Sequence, residues 1–377
     1  MAPVTIATST VATAVSNPQQ RAPMYINGRF WMWFSDGTNF KCSQSADGIT
    51  FAATTGWVDR AATSANRFSV AYDPINSKFS YAFTKSSDSK LYWRQGVLNA
   101  DGSITWDAAE QTIATLTGMV PFYPSVDYDG TGIAWVSLSV QTGSYPTVIA
   151  CRVYLNTVTN GTWTTDANYP VDVHTGETAA IRSCILGFTT NGAIVLYTKA
   201  VPVVYAQELD GAGEVGGEET ASDSQLNSVN TWSAAKYGDT TILQWQKTST
   251  QNFWEAKRTS GSWSAGSQIG DAGDTLGLNC APVASVDADT GDTYTFIPIL
   301  NSATSYAYFK NRVFVADVEE PTGFYDCLTL QTSLQCYGNK LCIGWLQSGS
   351  SPRNVRFDSI DVTPPPPPSN VDFVQVM

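Results

Sequence analysis

The chain has 377 residues, a formal net charge of -12, and a composition that is 43% hydrophobic, 12% aromatic and 14% charged. That is enough apolar matter for a large core, and an acidic body repels phosphate, so neither nucleic acid nor an anionic membrane is an expected partner. The single histidine, His174, excludes a multi-histidine metal site and leaves Ser-His-Asp or Cys-His catalysis only that residue to draw on.

The chain opens Met1-Ala2-Pro3-Val4-Thr5-Ile6-Ala7, with neither the basic nor the apolar region of a secretory signal peptide. From Val4 to Val11 β-branched residues recur among small polar ones, which predicts a strand within residues 2–13. Next, Met24-Tyr25-Ile26 and Arg29-Phe30-Trp31-Met32-Trp33-Phe34 flank the turn Asn27-Gly28. The same pattern returns at Phe68-Ser69-Val70-Ala71-Tyr72-Asp73 with Phe79-Ser80-Tyr81-Ala82-Phe83, and at Ser125-Val126-Asp127-Tyr128-Asp129-Gly130 with Ile133-Ala134-Trp135-Val136. A fourth unit joins Ile185-Leu186-Gly187-Phe188 to Ala193-Ile194-Val195-Leu196-Tyr197, and a fifth crosses Tyr237-Gly238-Asp239 into Thr241-Ile242-Leu243-Gln244-Trp245. The sixth runs from Ala284-Ser285-Val286-Asp287-Ala288-Asp289 to Tyr294-Thr295-Phe296-Ile297, and the last crosses Tyr337-Gly338-Asn339 into Leu341-Cys342-Ile343-Gly344-Trp345. Beyond Val362, Pro364 to Pro368 predicts a stiff polyproline II spacer, and Val371 to Met377 a short apolar strand.

Each unit pairs a first strand with a nearly continuous apolar second strand across a turn rich in Asp, Asn and Gly, as two-residue hairpins require. A strand apolar on both faces is sandwiched between sheets. Repeats of roughly 45–55 residues with this content match propeller blades. The expected fold is all-β: a single β-propeller over residues 1–363, with seven blades or alternatively six. The N-terminal strand would close the last blade, and residues 364–377 would form a separate arm. Open sheet edges would otherwise remain between the first and last blades.

The outer ends of several units echo one another. Ser45-Ala46-Asp47-Gly48-Ile49-Thr50-Phe51, Asn99-Ala100-Asp101-Gly102-Ser103-Ile104-Thr105-Trp106, Asn160-Gly161-Thr162-Trp163 and Ser260-Gly261-Ser262-Trp263 share a polar turn, a glycine and an aromatic residue. These resemble degenerate Asp boxes, the S-x-D-x-G-x-x-W hairpin turns of sialidase-type propellers. The resemblance covers about half of the units. It implies a fold in which the Asp closes the turn and the aromatic packs between blades, and it implies no activity.

Propellers place sites on the axis, so residues from several blades must converge. A sialidase-like site needs an arginine trio, a Tyr-Glu nucleophile pair and an acid Asp; Arg21, Arg67, Arg182, Arg312 and Arg353 are available. The Arg-Ile-Pro opening of that family has only a poor parallel in Asn66-Arg67-Phe68-Ser69, and no Tyr-Glu pair is evident. An arabinanase-like site needs inward carboxylates on separate blades; its opening Asp is replaced here by Arg21-Ala22-Pro23. The recurring Asp73, Asp129 and Asp289 stand at hairpin turns, where closing an Asx turn is the expected role. Asp287, Asp289 and Asp292 are the one candidate set for Ca²⁺, without EF-hand spacing; no other cofactor is expected. His174 falls between units and reads as a surface-loop residue. The glycine-rich acidic stretch from Asp210 to Thr220 lacks the lysine of a phosphate loop and reads as a solvated insertion. Cys336 and Cys342 flank a turn, but their diagonal offset favours free buried thiols over a hairpin disulfide.

No catalytic set emerges, so the expected function is that of a non-enzymatic structural or recognition protein of a virion or other extracellular particle. The low lysine and histidine content and the stiff terminal arm resemble phage tail, fibre and decoration proteins in style. In this reading the arm, with Pro364, Pro368, Phe373 and Val376, would contact other copies or other particle subunits. Trp31, Trp33, Trp93, Trp135 and Trp245 are the candidate sugar-stacking residues for a glycan or host receptor. The expected location is the particle surface after cytoplasmic synthesis. The alternative is a glycoside hydrolase, sialidase- or arabinanase-like, acting on surface glycans.

Overall fold

The computed structural model describes residues 3–362 apart from 16, 62–66, 86–87, 143–148, 178–180, 249, 251, 271–280, 299–303, 320–326, 333–334, 337 and 348–350. Its strands form seven sheets, and no helix occurs among the described residues. From axis to rim, blade 1 is Met24–Ile26, Arg29–Ser35, Asn39–Ser45 and Ala52–Ala53, and blade 2 is Phe68–Asp73, Lys78–Lys85, Lys90–Leu98 and Ile104–Trp106. Blade 3 is Met119–Tyr128, Ala134–Thr142, Ile149–Leu155 and Val171–Glu177; blade 4 is Ser183–Gly187, Gly192–Thr198, Val204–Asp210 and Glu219–Thr220. Blade 5 is Trp232–Tyr237, Thr240–Gln246, Phe253–Thr259 and Ser262–Trp263; blade 6 is Val283–Asp287, Thr293–Pro298, Thr304–Lys310 and Val313–Glu319. Blade 7 takes Cys327–Thr332, Lys340–Gln347 and Arg353–Asp361 from the end of the chain and Val4–Ser9 from its beginning.

The fold is therefore the all-β, seven-bladed propeller, and the six-bladed alternative is not realised. The closing strand is shorter than residues 2–13: Val4 pairs with Phe357 and Ser9 with Arg353, which covers an edge that would otherwise stay open. Residues 363–377, including Pro364, Pro368, Phe373 and Val376, lie outside the described residues.

The side-chain alternation of each strand decides which neighbour it packs on. In the second strand of blade 1, Trp31 and Trp33 join Phe68 and Tyr81 of blade 2, while Met32 and Phe34 join Leu346 and Val355 of blade 7. Second strands are buried along nearly their whole length, as in Gly192–Thr198. The tightest hairpins use consecutive left-handed residues, Asn27 (φ 53°) with Gly28 (φ 76°) and Gly338 (φ 58°) with Asn339 (φ 58°).

At the axis the inner strands are tied by a serine device. Ser69, Ser125 and Ser233 each accept a hydrogen bond from a backbone N–H of the following blade, at Val126, Ile185 and Ala284. The channel is plugged by Gln19, Gln20 and Arg21, all buried. Gln19 donates to Trp232 O (2.5 Å), Gln20 to Pro124 O (3.2 Å) and Arg21 to Ala284 O (3.1 Å), so the plug ties blades 5, 3 and 6.

The outer turns diverge from one another. Asp47 closes its turn by accepting from the N–H groups of Ile49 and Thr50 and from Ser45. Asp101 accepts from Ser103, Asn160 takes the corresponding place in blade 3, and blade 5 has a left-handed Ser260-Gly261 turn. What persists is the aromatic packing on the preceding blade: Phe51 on Phe357 (4.8 Å), Trp106 on Trp57 (6.0 Å) and Trp163 on Trp93 (5.3 Å).

Cys42, Cys151, Cys184, Cys336 and Cys342 are free and buried. Gln335–Cys336 pairs in parallel with the inner strand of blade 6, whereas Cys342 sits opposite Ser359, so the two sulfurs do not face each other across a hairpin.

Candidate functional site

The two ends of the axis differ in chemistry. Where the inner strands run into their hairpins, a cleft of about 260 Å³ is lined by Tyr72, Asp127, Tyr128, Asp129 and Lys236 among others. Lys236 Nζ lies 2.6 Å from Asp127 Oδ2 and donates to Tyr128 O (3.0 Å) and Gly187 O (2.7 Å). An ammonium has three protons, and all three have acceptors here. Asp127 Oδ2 also accepts from Gly187 N–H (2.8 Å). Lys236 is thus a latch joining blades 3, 4 and 5, with no proton left for a ligand.

The carboxylates around this mouth are similarly committed. Asp73 Oδ1 accepts from the N–H groups of Ile75 and Asn76, and Asp129 Oδ1 from those of Thr131 and Ile133, with Trp135 Nε1 on Oδ2 (2.9 Å). In blade 6 the turn is closed by Asp287, which accepts from the N–H of Asp289, so Asp289 is not the Asx residue the repeat implied. Asp292 pairs with Lys310 (2.7 Å) and Asn311. Among the described residues no group of three or more His, Cys, Asp or Glu side chains is arranged to hold a metal, so Asp287, Asp289 and Asp292 do not form the calcium set.

The opposite end, where the inner strands begin, carries a row of four side chains from blades 2, 3 and 4. Arg67 lies over the Phe122 ring (4.5 Å to its centre), Phe122 stacks on Tyr123 (5.7 Å), and Arg182 lies over Tyr123 (3.3 Å). Arg67 and Arg182 occupy the residues just before their inner strands, which puts both guanidinium groups near the axis. Tyr123 is presented by a distortion: the ladder shifts register between Phe122 and Ser125, and Tyr123 takes a left-handed backbone with φ 52°. Non-glycine residues in that region are strained by about 1–2 kcal/mol and cluster at functional sites. The plug supports the distortion from below, through Gln20 on Pro124 O and Ser125 Oγ donating to Gln19 O.

Arg182 is 7% exposed, and its Nε and Nη1 meet no hydrogen-bond partner among the described residues. Burial lowers its pKa and that of Arg67, and Tyr123 is the group that works against this in both. Arg67 does find one acceptor, Pro121 O (2.9 Å). A buried guanidinium with idle donors is costly unless an anion completes it. Phe122 and Tyr123 beside it are half-buried, so the row presents two cations flanking two partly exposed rings, which suits an anion that also carries apolar surface.

The five tryptophans expected to stack on sugars are placed elsewhere. Trp31, Trp33, Trp93, Trp135 and Trp245 are each 0% exposed, packed between blades with no face open to a ligand. Of the five candidate arginines, Arg67 and Arg182 come together, Arg21 fills the plug, Arg312 stands in a rim turn of blade 6 and Arg353 begins the third strand of blade 7. His174 belongs to the rim strand Val171–Glu177, not a loop; it pairs with Glu177 (2.8 Å) and stacks on Tyr197. The acidic stretch after Asp210 is partly committed as well: Glu218 pairs with Lys199 and Glu219 with Arg258. Phe122 and Tyr123 were missed by the pattern reading. The signal was Pro121-Phe122-Tyr123-Pro124, two prolines that interrupt a strand and frame an irregularity.

No family model matches the sequence, and no curated protein matches it either. Solved structures do match by shape. The BP39L lectin from Burkholderia pseudomallei aligns with a TM-score of 0.62 at 12% identity, covering 94% of this chain and 97% of the lectin. A PL25 polysaccharide lyase, an ulvan lyase, aligns at 0.57 and 7% identity over 95% of both chains. The α-L-arabinanase of Penicillium chrysogenum complexed with arabinobiose aligns at 0.50 and 11% identity, over 78% of this chain and 92% of the arabinanase. At these identities the likeness is one of fold.

Proposed function

We propose that this propeller recognises an acidic saccharide, one bearing carboxylate or sulfate groups, at the row formed by Arg67, Phe122, Tyr123 and Arg182. The observation that carries the reading is Arg182, buried with two nitrogens idle beside an aromatic face. The apolar side of a pyranose packs against the partly exposed rings, and an anionic substituent supplies the acceptors the guanidinium lacks. The lectin, the lyase and the arabinanase that share the fold support a saccharide ligand by analogy alone.

Recognition is favoured over glycoside hydrolysis, which needs one carboxylic acid and one carboxylate facing the scissile bond. Among the described residues Asp73, Asp127, Asp129 and Asp287 around the axis are held by turns or by Lys236. Calorimetric titration with uronate-bearing and neutral polysaccharides tests the proposal. The acidic polymer should bind, and Arg182→Gln should weaken it about 10- to 100-fold, as for loss of hydrogen bonds to a charged group. Equal binding of neutral polymers, or an Arg182→Gln protein that binds like the parent, would remove the basis for the reading.

A place in a virion or other extracellular particle is a second proposal. The exposed apolar row Val313, Phe314 and Val315 favours it, being suited to contact with another subunit. Absence of the chain from purified particles of its source would overturn it.

A further inference from the structure

The saturated Lys236 latch has a counterpart near the rim that is not saturated. At the seam where the ring closes, a cleft of about 480 Å³ lies between Val4–Ser9 of blade 7 and the strands Arg29–Ser35 and Asn39–Ser45 of blade 1. Its volume is that of a small-molecule site. Lys41 stands in it between two carboxylates: Asp59, to which its ammonium donates, and Asp36, whose Oδ2 is 3.6 Å away. Two of the three ammonium protons are thus directed at carboxylates, and the third has no acceptor among the described residues. Asp36 Oδ1 is taken by the N–H groups of Thr38 (2.8 Å) and Asn39 (2.7 Å), whereas Asp59 Oδ1 accepts from no group among the described residues. The side chains of Lys41 and Asp59 are 33% and 42% exposed, so a ligand can reach both. Ile6, Phe34 and Trp57 line the same cleft, and the Trp57 N–H is bound to Phe40 O (3.2 Å), which leaves these three to offer apolar surface.

This combination selects among ligand classes. An anion meets two carboxylates around one ammonium, and a cation meets the ammonium, so part of the site repels each of them. A hydroxyl group both accepts and donates: it can take the idle Lys41 proton and give its own to Asp59. Several hydroxyls on one ring, with C–H groups for the apolar lining, are the groups of a neutral sugar. We propose that this cleft is a second saccharide site, separate from the axial row, and that it takes a neutral pyranose with its hydroxyls on Lys41 and Asp59.

Saturation-transfer NMR on the full chain tests this, with methyl α-glucopyranoside and methyl α-mannopyranoside as neutral probes and methyl α-glucuronoside as the anionic one. At least one neutral probe should bind, with a dissociation constant on the order of 1 mM for a ligand of about a dozen heavy atoms. Lys41→Met should weaken it about tenfold or more, through loss of hydrogen bonds to a charged group, while the melting temperature moves little because the ion pair is exposed. Thr8→Trp, at an exposed position lining the cleft, should abolish binding by filling it, and decides the matter if Lys41→Met fails to fold. Arg182→Gln should leave the neutral probes unaffected. The proposal is overturned if neither neutral probe binds at about 10 mM, ten times the expected constant. It is equally overturned if a folded Lys41→Met or Thr8→Trp protein binds like the parent, if Arg182→Gln abolishes neutral binding, or if the glucuronoside binds the Arg182→Gln protein as well as the neutral probes do. Failure here leaves the axial reading untouched, since that reading rests on Arg182 and an acidic polymer.

Discussion

The guanidinium carbon of Arg182 lies 3.3 Å from the centre of the Tyr123 ring, and Tyr123 holds a left-handed backbone to meet it. The contact joins blade 4 to blade 3 at the axis. Its cost is split between a strained residue and a buried cation, neither of which propeller closure requires. That cost is what singles the row out as the candidate site.

The role of Tyr123 can be separated from that of its hydroxyl. Tyr123→Phe keeps the ring face over which Arg182 sits, so affinity for an acidic saccharide should stay within about threefold of the parent. Tyr123→Ala removes the platform and should lose about tenfold or more. A large loss with Phe, measured by the same calorimetry, would show that the phenol itself contacts the ligand.

Lys236 should behave as a structural latch. Lys236→Met leaves Asp127 with a buried charge and no cation, which costs about 3–5 kcal/mol when one partner of a buried pair is removed. The double variant Lys236→Met with Asp127→Leu should recover part of that loss. Thermal denaturation of the three proteins checks both, and saccharide binding by the folded fraction should be unaffected.

Closure of the ring makes its own prediction. Removing residues 1–12 exposes the Arg353–Asp361 edge that Val4–Ser9 now covers. The truncated chain should melt at lower temperature and aggregate, since an open edge invites pairing. Light scattering during heating distinguishes this from unchanged behaviour.

Acid titration should single out Asp47. The N–H groups of Thr50 and Ile49, then the Ser45 hydroxyl, pull its pKa from 3.8 down to about 2. A depressed carboxylate pKa stabilises the fold above the unfolded value and loses that contribution as pH falls through the folded one. Asp47→Asn should therefore flatten stability between pH 3.8 and about 2 and leave it little changed in slope at neutral pH. Chemical denaturation across that window measures the slope.

The thiols give a simple check on burial. Five of the seven cysteines are free and buried, so no more than two should react with Ellman's reagent in the native state. At least these five should react after unfolding without reductant. A smaller total would reveal a disulfide.

The repeat was legible because blades impose local rules. Asn27-Gly28 and Gly338-Asn339 announce hairpins whose backbone few other residues adopt, and Trp31-Met32-Trp33-Phe34 announces a strand covered on both faces. The same burial misled the choice of sugar-stacking residues: Trp31, Trp33, Trp93, Trp135 and Trp245 are large because they fill the gaps between blades. Asp287 and Asp289 show a finer limit, since the turn is closed by the residue two places earlier than the repeat implied.

The sequence by itself determined the all-β class, the repeating hairpins and the strand that closes the ring, because each depends on neighbours in the chain or on a two-residue alternation. Tertiary structure decided between the seven blades that the repeats favoured and the alternative of six, and it alone decided the plug of Gln19, Gln20 and Arg21 and the meeting of Arg67, Phe122, Tyr123 and Arg182. Those features join residues of different blades across the axis. No local propensity encodes such a meeting; it follows from the angle at which successive sheets pack, and that angle is set by the shapes of all the side chains between them.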